Sequence, residues 1–357
     1  QHVAHCHPKV VEAAQQQYEK LNTNTRYLDE TIVNYAKELT STFPEGLDVC
    51  FFANSGSEAN DLALRISRNY NQSKEIIVLD SAYHGNLSSL IEISSYKHNG
   101  PGGSGTPDHV HVIPIPDQYR GKYRGEECSG QYVQEVQNAI ETIQNNGKNV
   151  SAFIAEALMG CGGQLILPKG FLKESFTKVK NAVGVCIADE IQIGFGRMGS
   201  HFWGFESEGA IPDIVTMGKS MGNGHPLSAV VTTQEIADTF NNGMEYFNSI
   251  GGNPVSCAVG QAVLDVIKEE GLQENALEVG SYLLNQLKNL QNQHDLIGEV
   301  RGRGLFIGIE LVKDELVPAA AEAQTIVNHM KDKGLLLSTD GPDHNVIKIK
   351  PPLVFNK

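Results

Sequence analysis

Four short stretches of this sequence carry side chains able to do chemistry. Lys219 stands in "MGKSMGNGHP" (217–226), among Gly218, Gly222 and Gly224 and closed by Pro226. Glycine lets a backbone come close to a ligand and take angles that other residues avoid. This lysine is therefore either a charge on a surface turn or an amine aimed at a ligand. "FFANSGSEAN" (51–60) reads as a strand end, a turn and a helix start, with Glu58 in the first turn. Backbone N–H groups at a helix N-terminus attract an anion, and Ser55, Gly56 and Ser57 would add hydroxyls and close approach. Plain N-capping by Ser57 is the equal alternative. "YHG" (83–85) follows a strand, and its Tyr83 can stack on a planar ligand or simply pack. "ADE" (188–190) ends another strand, so Asp189 falls at the carboxyl edge, where open α/β sheets bind ligands. There it can hold a ring nitrogen protonated or cap a helix, and no helix follows at once.

The elements that must position these residues are legible as short apolar runs. Strands are expected at 49–53, 75–80, 110–115, 151–158, 183–190, 213–217 and 227–233. Several are apolar throughout, as strands covered on both faces are, which implies a mostly parallel α/β sheet. Helical patterns at 57–71 and 131–145 lie between them. From about 256 the texture changes to long helices at 256–271 and 274–293, a strand at 305–312, a helix near 319–333 and a strand at 346–350. The division expected is a large domain over 22–255 and a small α+β domain over 256–357, with 1–21 packing against the latter. Such a frame would bring together a phosphate cup, a stacking aromatic, a carboxylate for a ring nitrogen and a lysine. Pyridoxal 5'-phosphate needs those four things.

Three motifs could mislead. "GFGRMG" (194–199) matches a dinucleotide loop, but "SHFWGFESEG" follows it where a long amphipathic helix is required. "GKS" (218–220) resembles a P-loop tail, yet Asp213 occupies the place of the needed glycine. His2, His5, Cys6 and His7 are too tightly spaced to face one metal, so no metal site is expected. The net charge of −14 argues against nucleic-acid or anionic-membrane partners. No apolar run reaches the roughly 18 residues of a membrane span. The six scattered cysteines fit reduced thiols in a mitochondrial matrix or the cytoplasm. The start at "QHVAHCHPKV", without an initiator Met, points to an upstream segment.

Over essentially its whole length the sequence resembles the class III (ω-type) aminotransferases, of pyridoxal-phosphate fold type I. "NSGSEAN", "YHG", "ADEIQIGFGRMG", "GKSMGNGHP" and "GGNPVSCAV" carry the resemblance. "LNTNTRYL", "RGKYR", "GMEYFNSIGGNPVSCAVG" and "KIKPP" are in the style of the alanine–glyoxylate aminotransferase 2-like branch, which includes ethanolamine-phosphate and phosphohydroxylysine phospho-lyases. The resemblance implies that Lys219 bonds the cofactor and that Asp189 partners its ring nitrogen. It implies that Gln192 contacts the 3-hydroxyl and that Ser55, Gly56 and Ser57 hold the phosphate. Tyr83 would stack on the ring, with His84 beside it, and Glu156 would be an active-site glutamate. Ser249 would reach the neighbouring subunit's cofactor phosphate, so a homodimer or larger homo-oligomer is expected.

Two departures bear on the substrate. Lys348, in "IKIKPPL", stands where many family members carry an arginine that clamps a carboxylate, and lysine cannot form that planar fork. Cys161 stands where the arginine's glutamate partner is often found. Both changes fit a lyase acting on a phosphorylated amine; amino transfer to a keto acid, and a catalytically silent cofactor-binding protein, are the alternatives. Arg120, Lys122 and Arg124 are expected to alternate along an extended segment, offering cations to a substrate phosphate. A solvated basic loop is the equal alternative.

Overall fold

The computed structural model describes residues 1–357. Nine strands come first in the chain: β1 (Val49–Ala53), β2 (Glu75–Leu79), β3 (Val110–Ile113), β4 (Val150–Glu156), β5 (Leu158–Met159), β6 (Leu165–Ile166), β7 (Val185–Asp189), β8 (Ile214–Met217) and β9 (Ser228–Thr232). Seven of these form one sheet in the order β1-β9-β8-β7-β4-β2-β3. Only β9 runs against its neighbours β1 and β8; all other pairings are parallel. β2, β4, β7, β8 and β9 are buried at every position, as continuous apolar runs require.

Eleven helices accompany the sheets: α1 (Pro8–Lys20), α2 (Glu30–Thr40), α3 (Gly56–Asn71), α4 (Ser88–Ile93), α5 (Ser95–His98), α6 (Ser129–Asn145), α7 (Phe171–Asn181), α8 (Gln234–Phe240), α9 (Pro254–Glu269), α10 (Leu272–Gln291) and α11 (Ala320–Asp332). Strand alternation sends successive side chains to opposite faces. Ile76, Val78, Ile154, Ile187 and Val230 pack with α3, α4 and α8 on one face. Ile77, Leu79, Phe153, Cys186, Val215 and Val231 pack with α6, α7 and α9 on the other. A second, antiparallel sheet is formed by β10 (Ile297–Arg303), β11 (Phe306–Leu311), β12 (Ser338–Asp340) and β13 (Val346–Ile349), in the order β10-β11-β13-β12. Residues of α10 and α11 pack with it.

The boundary read at 255/256 falls inside the first turn of α9. Val259, Val263, Val266 and Ile267 of that helix join the large sheet's core, so the helix belongs with the large domain. The N-terminal residues lie between the two parts rather than on the small one alone. Val3 and Val10 enter the large core. His2 O accepts from Leu353 N at 2.7 Å, while Asn223 Oδ1 accepts from His2 N at 2.6 Å. Of the histidines of "HVAHCHP", His2 is used in packing, His5 is exposed and His7 pairs with Glu270 at 3.1 Å. His2 is buried, receives a hydrogen bond from Arg197 at 3.1 Å and contacts Phe195 O at 2.7 Å. Burial, with Arg197 beside it, pushes the His2 imidazole down to about 3. The glycine-rich 194–199 stretch is a run of turns leading to a short 3-10 segment at Gly204–Glu208, not a nucleotide-binding helix.

Candidate functional site

The carboxyl ends of the parallel strands meet the start of α3 at a cavity of about 240 Å³. Its walls bring together Ser55, Gly56 and Ser57, Tyr83 and His84, Glu156, Asp189, Gln192 and Lys219. They arrive from five strand ends: after β1, after β2, at the tip of β4, at and just past the tip of β7, and after β8. All nine were singled out in the sequence for one cofactor.

Ser55 caps α3, its Oγ accepting from Glu58 N at 3.2 Å, so the capping residue is Ser55 rather than Ser57. Ser57 Oγ instead accepts from Asn86 N at 3.0 Å and ties the helix start to the loop after Tyr83. As the first helical residues, Gly56 and Ser57 have no intrahelical partner for their N–H groups. A Cβ on Gly56 would lie 2.7 Å from Ile191 Cδ1, and one on Gly218 would lie 3.3 Å from the Gly56 backbone. A side chain at either position would crowd the place where the lysine loop meets the helix start, which glycine avoids.

Asp189 is fixed from three sides. Oδ1 accepts from Ile191 N at 3.2 Å, and Oδ2 accepts from Asn60 Nδ2 at 2.9 Å and from His84 Nδ1 at 2.8 Å. A carboxylate only accepts, so the His84 proton on this bond sits on Nδ1. The buried His84 Nε2 has no partner. Glu156 pairs with Asp189 across neighbouring strands. Its Oε2 accepts from Gly160 N at 3.0 Å, while the buried Oε1 has no partner. Burial, with the Asp189 charge beside it, pushes the Glu156 carboxyl up to about 7. Gln192 Oε1 accepts from Lys350 Nζ, leaving the amide nitrogen as a donor. A Cβ on Gly160 would come within 2.5 Å of that nitrogen. Lys219 is exposed to the cavity and makes no hydrogen bond or ion pair. Tyr83 meets Tyr96 edge-on at 6.3 Å, with Lys97 Nζ 5.7 Å above its ring.

A family model, aminotransferase class-III, matches residues 1–357. The chain belongs to the class-III aminotransferase family. It is 52% identical over 365 residues to an alanine–glyoxylate aminotransferase 2-like protein of Drosophila melanogaster, covering 100% of this chain and 74% of the relative. It is 44% identical to ethanolamine-phosphate phospho-lyase homolog 1 of Caenorhabditis elegans, covering 100% and 80%. A solved phospholyase from Arthrobacter in complex with phosphoethanolamine superimposes with a TM-score of 0.94 at 41% identity, covering 100% of this chain and 84% of that one. The protein is a class-III, pyridoxal-phosphate-dependent enzyme of fold type I. Its cavity fits that cofactor: it offers free N–H groups at the α3 start, glycine clearance at 56 and 218, and unpartnered buried atoms on His84 and Glu156. No helix is long and apolar enough to cross a membrane.

Six residues singled out in the sequence do not line the class-III cavity. Cys161 is half-buried, and burial with Glu156 and Asp340 nearby pushes its thiol up to about 12. Lys348 Nζ is paired with Asp340 at 2.8 Å. Residues 118–123 form turns and bends, not an extended strip, so the cations there do not share a side. Arg120 binds Glu310 and Asp343, Lys122 binds Glu135 at 2.6 Å, and Arg124 reaches Gly121 O at 3.4 Å. Ser249 is exposed on the outer surface. Asn60 and Lys350 were missed. Asn60 lies within the quoted "NSGSEAN", one turn into α3. Lys350 lies two residues beyond Lys348, the spacing that puts both on one side of an extended chain.

Proposed function

We propose that this enzyme is a phospho-lyase that removes phosphate and ammonia from a phosphorylated amine, phosphoethanolamine or 5-phosphohydroxylysine, leaving an aldehyde. The observation that carries the reading is the Lys348–Asp340 ion pair at 2.8 Å. Lysine at this position already lacks the planar fork for a carboxylate, and here its charge is also neutralised within the protein. A site without that clamp suits an amine recognised by another anionic group. The similarity to a phospholyase complexed with phosphoethanolamine points the same way.

In this reading Ser55, Gly56 and Ser57 hold the cofactor phosphate at the positive end of α3. Asp189, held by its three donors, would face the ring nitrogen, with Asn60 and His84 fixing its direction. Gln192 donates to the 3-hydroxyl and Tyr83 covers the ring. When bound, pyridoxal phosphate supplies an aldehyde for the substrate amine and an electron-accepting ring. Lys219 would bond the cofactor at rest, and its amine would take the proton from the substrate carbon that bears the amine and return it to the carbon that phosphate leaves. The C–O bond to phosphate then breaks, and one water converts the remaining carbon–nitrogen fragment to aldehyde and ammonia. Ser249 lies outside its own cavity and serves a neighbouring copy, which makes the working unit at least a homodimer.

The net elimination leaves the cofactor as it began, so no keto acid is needed. Holoenzyme given either phosphorylated amine alone should release phosphate and ammonia in equal amounts over many turnovers. A second reading, amino transfer to pyruvate or glyoxylate, is favoured by the name of the 52% identical Drosophila relative. A single turnover, rescued by pyruvate or glyoxylate, would establish it instead.

A further inference from the structure

Most cations withdrawn from solvent in this protein have a carboxylate. Arg301 pairs with Glu299 and Glu310, Arg120 with Glu310 and Asp343, Arg303 with Glu208, and Lys348 with Asp340. Arg197 and Lys350 do not. Arg197 is buried and donates only to neutral groups: the carbonyls of Leu305 and Pro351, at 3.0 and 2.9 Å, and the His2 ring. Lys350 reaches only the Gln192 side-chain carbonyl, with its Nζ 5.0 Å from the centre of the Phe306 ring. Arg197 binds the carbonyl of Pro351, the residue after Lys350, so the two cations are neighbours.

A buried charge without a counter-charge is costly, and an anion placed beside it recovers that cost. Both cations line a cavity of about 280 Å³, together with Ser220, Gln192 and Lys219. It adjoins the first cavity through Ile191, Gln192 and Lys219 but does not include the Ser55–Ser57 cup. The anion it would take is therefore distinct from the cofactor's phosphate, yet it lies beside the amine of Lys219. A phosphorylated amine with its two groups on adjacent carbons needs that proximity.

We propose that this second cavity is the subsite for the substrate's phosphate, with Lys350 as its direct contact and Arg197 fixed behind it as a standing positive charge. The assignment rests on the phospho-lyase reading and places the phosphate here rather than on the 120–124 turn, where Arg120 and Lys122 are already paired. Burial, with Lys348 and Arg197 adding repulsion against Asp340 and Glu156, holds the Lys350 amine down to about 7. An arriving phosphate dianion favours its charged form.

The test is calorimetric titration of holoenzyme with inorganic phosphate, the cofactor's own phosphate filling the Ser55–Ser57 cup. Wild type should bind phosphate, and Lys350→Met should bind it at least tenfold more weakly. Lys350→Arg, which keeps the charge, should recover part of the affinity. The KM for phosphoethanolamine should rise at least tenfold in Lys350→Met, with the Tm close to wild type. Equal phosphate affinity in wild type and Lys350→Met overturns the assignment, as does Lys350-dependent binding of pyruvate in preference to phosphate. Absence of phosphate release from any phosphorylated amine would remove the lyase reading, while the titration would still decide whether Lys350 makes a phosphate site.

Discussion

Lys219 is the amine that reaches the cofactor cavity without a partner, and Lys350 is the nearby amine that could compete with it. Lys219→Ala should therefore lose covalent cofactor attachment and at least a thousandfold in turnover. Borohydride reduction followed by peptide mass spectrometry checks this; cofactor trapped on the Lys350 peptide would reassign the role. Glu156 makes a pH prediction. Its carboxyl is raised from about 4.5 to about 7, so between those values the folded state binds more protons than the unfolded state. Stability contributed here is present below the unfolded value and falls as pH rises through the window, by about 3 kcal/mol in total. Glu156→Gln should remove that share, so the Tm difference between variant and wild type should move in the variant's favour from pH 5 to pH 8. A difference independent of pH would show that Glu156 titrates normally. At this scale the sequence showed the residues whose role is local. Ser55–Ser57, Asp189 and Lys219 sit at strand or helix ends that the apolar runs delimit. Lys350 was hidden because its character comes from burial under Phe306 and beside Gln192, which no local pattern encodes. Arg120 was misplaced because its partner Glu310 is 190 residues away.

The cavity exists because elements come close together, and glycine permits it. α3 starts immediately behind β1, and the loop after β8 crosses so near that Gly56 and Gly218 nearly touch. Gly56→Ala should cost about 1–3 kcal/mol by overpacking, because its Cβ would lie 2.7 Å from Ile191 Cδ1. Ile191→Val removes that terminal carbon, so the double variant should recover much of the loss in thermal unfolding. Additive losses would show that the conflict is with the backbone instead. The seven strands of the large sheet were legible from their apolar runs, each within two residues of its observed ends. β10 was not, because "IGEVRGR" alternates glycine and charge: Arg301 is buried there by ion pairs with Glu299 and Glu310 rather than by apolar contacts. α7 escaped notice too, since its apolar stripe of Phe171, Leu172, Phe176 and Val179 is diluted by lysines on the outer face.

At the scale of the molecule, two neighbouring segments carry large apolar side chains that face outward. Tyr27, Leu28, Val33, Met244, Phe247 and Ile250 are all exposed. Two of the segments they lie on touch, Arg26 standing 4.4 Å over the Phe247 ring and 3.9 Å from Glu245. Exposed Ser249 lies in the same stretch, outside the cavity of its own chain. Contiguous apolar surface rimmed by charge marks an interaction site. A second copy of this chain fits both facts, since it would cover the surface and receive Ser249 at its own cofactor. Leu28 is 103% exposed, so Leu28→Asp cannot disturb packing within the chain. Light scattering should find wild type at twice the chain mass or more, and Leu28→Asp shifted towards the single chain, with cofactor affinity reduced at least tenfold. Ser249→Ala should keep the larger mass and lose affinity alone. A wild type that runs as one chain and holds its cofactor fully would detach Ser249 from the site and leave the apolar surface for a different partner.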